Sequence, residues 1–333
     1  MKTILPGFLA ALIIAFIAKL IETILPVHLI GASIIALFIG MFFHNYLFRW
    51  DIFKNGVSFT SKKILRLAII LLGASLNITV IFQVGKLSMT VMAFTLLACF
   101  GGGYVIGKIL GIDWKLSSLI SAGTGICGGS AIAAIAPVIH AKDRDIAYAM
   151  SATFLFDMAM IVLFPFWGKA LGLSDMAYGL WAGTAVNDTS SVVAAGYAYS
   201  ENAGDFAMMV KLTRTLAIIP TVLVFAMISL YKESGISDKT AHPVRFRTLL
   251  PWFILGFLLL SILYSIGLIP ETISGFLKEL SKFLMITALA AIGLNTSFHE
   301  MRKSGFAPMM HGFLISALVV IVALGVEYMM GII

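Results

Sequence analysis

Charge is what this 333-residue chain has least of. Asp, Glu, Lys and Arg together make 12% of it, where a soluble domain carries roughly a quarter. Cysteine is almost as scarce. Cys99 and Cys127 both fall in apolar runs, with neither metal-ligand spacing nor a disulfide framework, so no metal and no cofactor is expected. Strand–helix alternation is missing too, which excludes a nucleotide-binding α/β domain. What fills the chain instead is 60% hydrophobic residues at a mean hydropathy of +1.02. The few charges are clumped between apolar runs of about twenty residues, the length of a membrane span. The net charge of +7 is therefore not a nucleic-acid signal. It sits in short connecting loops, where basic residues orient spans, and the expected surroundings are a lipid bilayer.

The apolar runs place spans at about 6–24, 28–43, 64–81, 89–110, 146–167, 206–231, 249–268, 273–294 and 306–330. The first eighteen residues have the make-up of a signal peptide. They lack a small-x-small cleavage site and are read as the first span. Three loops are basic: Arg49, Lys54, Lys62, Lys63 and Arg66; Lys232, Lys239, Arg245 and Arg247; Arg302 and Lys303. Held in the cytoplasm, they put the N-terminus inside and the C-terminus outside. Two further segments, 114–140 and 175–199, are interrupted by small and polar residues. The expected fold is an all-α polytopic membrane protein, a single transmembrane domain over 1–333. It has nine to eleven transmembrane helices. Eleven apply if both interrupted segments cross; nine apply if both are re-entrant hairpins, which the Lys142/Arg144 and Glu201/Asp205 loops favour.

The two interruptions carry one motif. Ala122-Gly123-Thr124-Gly125-Ile126-Cys127-Gly128-Gly129-Ser130-Ala131-Ile132-Ala133-Ala134 recurs sixty residues later as Ala182-Gly183-Thr184-Ala185-Val186-Asn187-Asp188-Thr189-Ser190-Ser191-Val192-Val193-Ala194. Paired interruptions of this kind mark the binding site of a transporter built from an internal inverted repeat. A short match between Leu76-Asn77-x-Thr79 and Leu294-Asn295-x-Ser297 is a second trace of that symmetry. Unwound backbone in a membrane survives only where protein or a watery cavity satisfies it. Ser130 and Ser190 would open second half-helices whose N–H groups and positive dipole ends favour an anion. Packing by small residues accounts for Gly128-Gly129 but poorly for Asn187-Asp188-Thr189 in mid-membrane.

Intramembrane charge is costly and marks function by default. Asp157, Asp188, Lys211 and Arg214 qualify, and Lys211 and Arg214 share a helix face. They form either structural ion pairs with the aspartates or contacts to an oxyanion, which the planar guanidinium suits. The aspartates would then be counter-ions or carriers of a proton or sodium ion. Asn77 and Asn295 are interhelical glue or ion ligands. His311 is a proton relay or, more simply, a histidine facing a neighbouring helix. Gly123-x-Gly125-x-x-Gly128 copies the dinucleotide fingerprint, but no strand precedes it. Residues 102–108 imitate a phosphate loop, but Ile109 stands where Ser or Thr would hold magnesium. No base can be named for Cys127, so an enzyme is not expected.

Gly123-Thr-Gly-Ile-Cys-Gly-Gly-Ser-Ala-Ile-Ala-Ala, Gly183-Thr-Ala-Val-Asn-Asp-Thr-Ser-Ser-Val-Val-Ala-Ala-Gly196 and Val210-Lys-Leu-Thr-Arg resemble the YeiH-type sulfate exporter family of bacterial inner-membrane proteins. The resemblance covers nearly the whole chain. The family is grouped with cation:proton antiporters and bile-acid symporters. That grouping implies inverted repeats with broken helices or hairpins in a core domain. The expected function is secondary transport of a small anion such as sulfate, a sulfonate or a carboxylate. The substrate contacts are Gly123, Thr124, Gly125, Gly128, Gly129, Ser130, Gly183, Thr184, Asn187, Asp188, Thr189, Ser190, Ser191, Lys211 and Arg214. Asp157, Asp188, Asn77 and Asn295 would couple a proton or sodium ion, and a homodimer is the expected assembly. The rival reading is an ion-translocating membrane subunit or channel.

Overall fold

A computed structural model describes residues 4–24, 32–47, 50–233, 252–296 and 305–333. Among these residues the protein is 87% helical and has no strand. Arg49, Lys239, Arg245, Arg247, Ser297, Arg302 and Lys303, named above, lie outside the described residues. In chain order the helices are α1 (Leu5–Ile24), α2 (Ala32–Leu47), α3 (Asp51–Phe59), α4 (Leu65–Leu72), α5 (Ile78–Leu97), α6 (Gly103–Ile109), α7 (Trp114–Ala122) and α8 (Gly129–Ile135). Then follow α9 (Asp143–Ala170), α10 (Asp175–Ala185), α11 (Thr189–Tyr199), α12 (Glu201–Thr215), α13 (Ile218–Glu233), α14 (Trp252–Ser265), α15 (Glu271–Leu294) and α16 (Phe306–Met329). Single π-helical turns carry α3 into α4 (Thr60–Ile64) and α5 into α6 (Ala98–Gly102), and extend α7 (Gly123–Cys127).

Five stretches of helix, Leu5–Thr23, Ile78–Ile109, Arg144–Ala170, Glu201–Ser229 and Phe306–Met329, are long and apolar enough to cross a membrane. Large side chains such as Phe42, Leu97, Ile109, Phe306 and Ile321 stand exposed, an outward surface that lipid tolerates and water does not. The chain is an all-α polytopic membrane protein.

The helices pack as two groups. In one, α15 lies on α2, α1 and α4, with α3 and α14 alongside. The α2–α15 crossing is a backbone contact. A β-carbon on Gly40 would stand 2.3 Å from the Ala290 carbonyl oxygen, and one on Gly293 2.1 Å from that of Leu37. Without a water-driven hydrophobic effect between helices, such close approach is a main source of their association. The second group holds α5 to α13 and α16. Two ion pairs reach between the groups: Lys278 Nζ to Asp205 Oδ2 at 2.9 Å, and Lys282 Nζ to Glu201 Oε2 at 2.7 Å. Tyr197 donates to the other oxygen of Asp205 at 2.6 Å. The acidic pair at the start of α12 has no basic neighbour in sequence; in space α15 supplies two.

Both interrupted segments fold back on themselves. Lys115 Nζ, at the start of the first, donates to the His140 carbonyl at its end (3.0 Å). At the second, Ser200 Oγ donates to Asp175 Oδ1 (2.7 Å), and the rings of Tyr178 and Tyr199 stack 3.8 Å apart. Each segment is therefore a hairpin that begins and ends on one side, not a crossing. The arm lengths alone could not decide this, since a half-helix of a broken span is equally long. Helix α9 leads from the end of one hairpin to the start of the other. Its 28 residues span about 42 Å, so the two mouths lie at opposite ends of it and the tips meet between them.

Candidate functional site

The tips are where the sequence motif breaks the helices. The first arm loosens into the π turn Gly123–Cys127 and stops at Gly128, whose φ of 64° and ψ of −133° suit glycine alone. The second arm stops at Ala185. Val186 is extended, and Asp188 starts α11 as its N-cap. The tips touch: a β-carbon on Gly128 would lie 3.0 Å from Asp188 Oδ1.

A helix that stops in mid-membrane leaves carbonyls without partners and a partial negative charge at its end. Two cations from α12 answer both. Lys211 Nζ donates to the carbonyls of Ile126 (2.7 Å) and Val186 (3.0 Å). Arg214 donates through Nε to Gly125 (2.7 Å), through one terminal nitrogen to Thr124 (2.5 Å) and through the other to Val186 (3.2 Å). Spaced three residues apart, they lie on one face of α12, and both are fully buried. Among the described residues neither forms an ion pair with Asp157 or Asp188. Their protons go to backbone, the partner that sequence patterning does not display.

The far end of the second break carries two carboxylates. Asp157, fully buried at the midpoint of α9, accepts from the backbone N–H of Asn187 (2.9 Å) through one oxygen and of Asp188 (3.0 Å) through the other. Asp188 Oδ2 accepts from the backbone N–H of Ser190 (2.9 Å) and from its hydroxyl. Anions at helix N-termini are favoured by the dipole. The N–H groups expected to wait for a substrate at this tip are thus already occupied by the protein's own carboxylates. Two cations on the carbonyl ends and two carboxylates on the N–H end of the second break cancel in formal charge.

The other expected site residues divide by access. Gly123, Thr124, Gly125, Gly128, Gly183, Thr184, Asn187, Ser190 and Ser191 are buried. Gly129, Asp188 and Thr189 are half-buried, and Ser130 is exposed. Gly183 packs against Val210 and Ala207 of α12, and Thr184 Oγ1 donates to the Leu180 carbonyl within its own helix. Thr124 Oγ1 and Asn187 Oδ1 are buried and have no hydrogen-bond partner among the described residues. Asn187 Nδ2 lies 3.5 Å from Ser316 Oγ on α16.

The structure does not bring Asn77 and Asn295 into this cluster. Asn77 caps α5, accepting from the N–H (2.9 Å) and hydroxyl (2.7 Å) of Thr79, and Asn295 is the exposed C-cap of α15. His311 faces a neighbouring helix, with Nε2 3.1 Å from Ser117 Oγ. Because that hydroxyl donates to the Gly103 carbonyl (3.0 Å), Nε2 is the donor to it. Sequence reasoning passed over Ser316 and Glu327. Glu327 is fully buried on α16, and neither of its oxygens has a hydrogen-bond partner among the described residues. Its signal was there, a lone acid in an apolar run.

Residues 6–312 match the family model described as Conserved hypothetical protein 698. The chain is 54% identical to the UPF0324 membrane protein of Clostridium tetani, covering 98% of this chain and 97% of the relative. It is 40% identical to the UPF0324 membrane protein of Streptococcus pneumoniae strain R6, with 98% and 97% covered. Against that of Streptococcus pyogenes serotype M3 it is 39% identical, with 98% of each covered. The chain belongs to this family of membrane proteins, the one to which the YeiH-type resemblance points.

Proposed function

We propose that this UPF0324 membrane protein is a secondary active transporter of a small anion, such as sulfate, a sulfonate or a carboxylate, working by alternating access at the two hairpin tips. The observation that carries the reading is the meeting of two broken helices in mid-membrane, with Gly128 of one against Asp188 of the other. Broken helices at membrane depth are the architecture by which transporters bind substrate and coupling ion. The accessible part of the site is the tip surface of Gly129, Ser130, Asp188 and Thr189, beside the start of α8. The group α1–α4, α14 and α15 would serve as the frame against which the tip-bearing group moves. The two hairpins, opening at opposite ends of α9, are read as halves of an inverted repeat, which gives nine spans. Under that reading the protein lies in a bacterial inner membrane, N-terminus cytoplasmic and C-terminus outside, and moves its substrate without chemical change.

The test is thermal stabilisation of the detergent-purified protein by potassium sulfate, formate, acetate and methanesulfonate. Ligand binding to the native state raises Tm by mass action. A saturable rise with one anion class, lost in Ser130→Trp, supports the reading; the exposed position leaves the fold of that variant intact. No rise with any of them overturns the anion assignment.

A further inference from the structure

We propose that the ion coupled to transport is a proton carried by Asp188, and that it travels in the same direction as the anion. The inference rests on the transporter reading above and names the ion that the same site uses. Its first ground is what the unwound carbonyls do. In transporters of this architecture, carbonyls freed at helix breaks are the oxygens that coordinate sodium. Here the carbonyls of Thr124, Gly125, Ile126 and Val186 are taken by the Lys211 ammonium and the Arg214 guanidinium. A metal ion placed there would meet two fixed positive charges at hydrogen-bond range in a medium of low dielectric, where like charges repel strongly.

The second ground is the difference between the carboxylates. Asp157 is fully buried and both its oxygens serve backbone N–H groups. Asp188 is half-buried. It spends only Oδ2 on Ser190, and its Oδ1 points at Gly128 with no hydrogen bond among the described residues. That free oxygen at the accessible tip is where a proton can arrive without dismantling the site. The titratable groups facing Asp188 are Asp157 from α9, Lys211 from α12 and Cys127 from the first tip. α2 and α15 also touch α11, but their basic groups are engaged elsewhere: His44 with the Leu294 carbonyl, Lys278 with Asp205 and Lys282 with Glu201.

The third ground is the charge balance. Lys211 and Arg214 against Asp157 and Asp188 sum to zero, so a monovalent anion entering alone leaves one uncompensated negative charge in the membrane, which is costly. One proton on Asp188 restores neutrality. It also removes the carboxylate that would repel the anion from Gly129 and Ser130. Proton and anion then bind together and move together, one proton on Asp188 for each monovalent anion.

The full-length protein in detergent decides this in two measurements. The first compares Tm in potassium and sodium salts of the stabilising anion at equal ionic strength; equal values are expected, and a saturable rise specific to sodium overturns the proposal. The second adds potassium formate or potassium methanesulfonate to protein in weakly buffered solution and reads the pH. The expected result is alkalinisation by one proton equivalent per bound monovalent anion, abolished in Asp188→Asn and retained in Asp51→Asn, which removes an exposed carboxylate on α3. Stabilisation by the anion without proton uptake in the wild type overturns the proposal, even if Asp188→Asn fails to fold; so does uptake that Asp188→Asn leaves unchanged. Absence of stabilisation by every anion is a different failure, that of the transporter reading itself, and the coupling falls with it.

Discussion

Gly128 meets Asp188 where the two hairpins touch, and there is no room between them for a side chain. The φ of 64° at Gly128 strains any other residue, and an added β-carbon would press on the carboxylate at 3.0 Å. Backbone strain of this kind costs on the order of 1–3 kcal/mol. Gly128→Ala is therefore expected to lower Tm and abolish anion stabilisation. Gly172→Ala is the control: its φ is 63°, but nothing lies within 4 Å of its added carbon. It should cost about 1 kcal/mol and leave ligand binding intact. Equal effects of the two substitutions would mean that the tip contact is of no consequence.

Arg214 is not replaceable by lysine. Its three nitrogens reach three carbonyls on two hairpins, and an ammonium cannot span that fork. Arg214→Lys leaves buried carbonyls unmet, at roughly 1–3 kcal/mol for each. Denaturant or thermal unfolding in detergent should show a clear loss, larger than for Lys54→Arg in the exposed pair Lys54–Asp51.

How much of this was legible beforehand follows from where each partner lies. The helix breaks were readable because Gly, Thr, Asn and Asp in an apolar run are conspicuous, and they recur. The all-helical membrane fold followed from charge scarcity together with apolar runs of about twenty residues. The use of Lys211 and Arg214 was not readable. Their partners are main-chain oxygens, which every residue has, and those in the first hairpin lie 85 to 90 residues away. Asn77 and Asn295 illustrate the reverse. A polar residue near an apolar run signals a site and a helix cap equally well, and both proved to be at helix ends. Glu201 and Asp205 had no basic partner in the local sequence, since theirs arrive with α15.

Hairpins make a directional prediction that crossings do not. Lys142 and Ser174 are both exposed and flank α9 at opposite ends. Cys99 and Cys127 are buried, so added cysteines can be read above a low background. Lys142→Cys should react with an impermeant maleimide from one face of the membrane, and Ser174→Cys and Glu201→Cys both from the other. In oriented vesicles, labelling of Lys142→Cys from the same face as Glu201→Cys would refute the arrangement.

The pairs Lys278–Asp205 and Lys282–Glu201 join the two helix groups. Lys278→Ala should lower Tm modestly, because Asp205 is left nearly buried with Tyr197 as its one side-chain partner among the described residues. The exchange Lys278→Asp with Asp205→Lys should recover part of the loss. Raising ionic strength should blunt the Lys282 pair more, since Glu201 is exposed and screening acts on exposed charge. Absence of any recovery in the exchange would mean that these contacts do not couple the groups.

The distance along the chain between the first tip and its cations has a consequence for synthesis. The carbonyls of Thr124, Gly125 and Ile126 emerge from the ribosome well before Lys211 and Arg214 exist to receive them. Until α12 is made, the first hairpin holds unmet backbone that lipid does not accept. It must wait at the membrane surface or in the shelter of the insertion machinery. The cations of α12 are therefore also the signal that lets the first hairpin seat, and nascent chains halted before residue 211 should leave it accessible to protease.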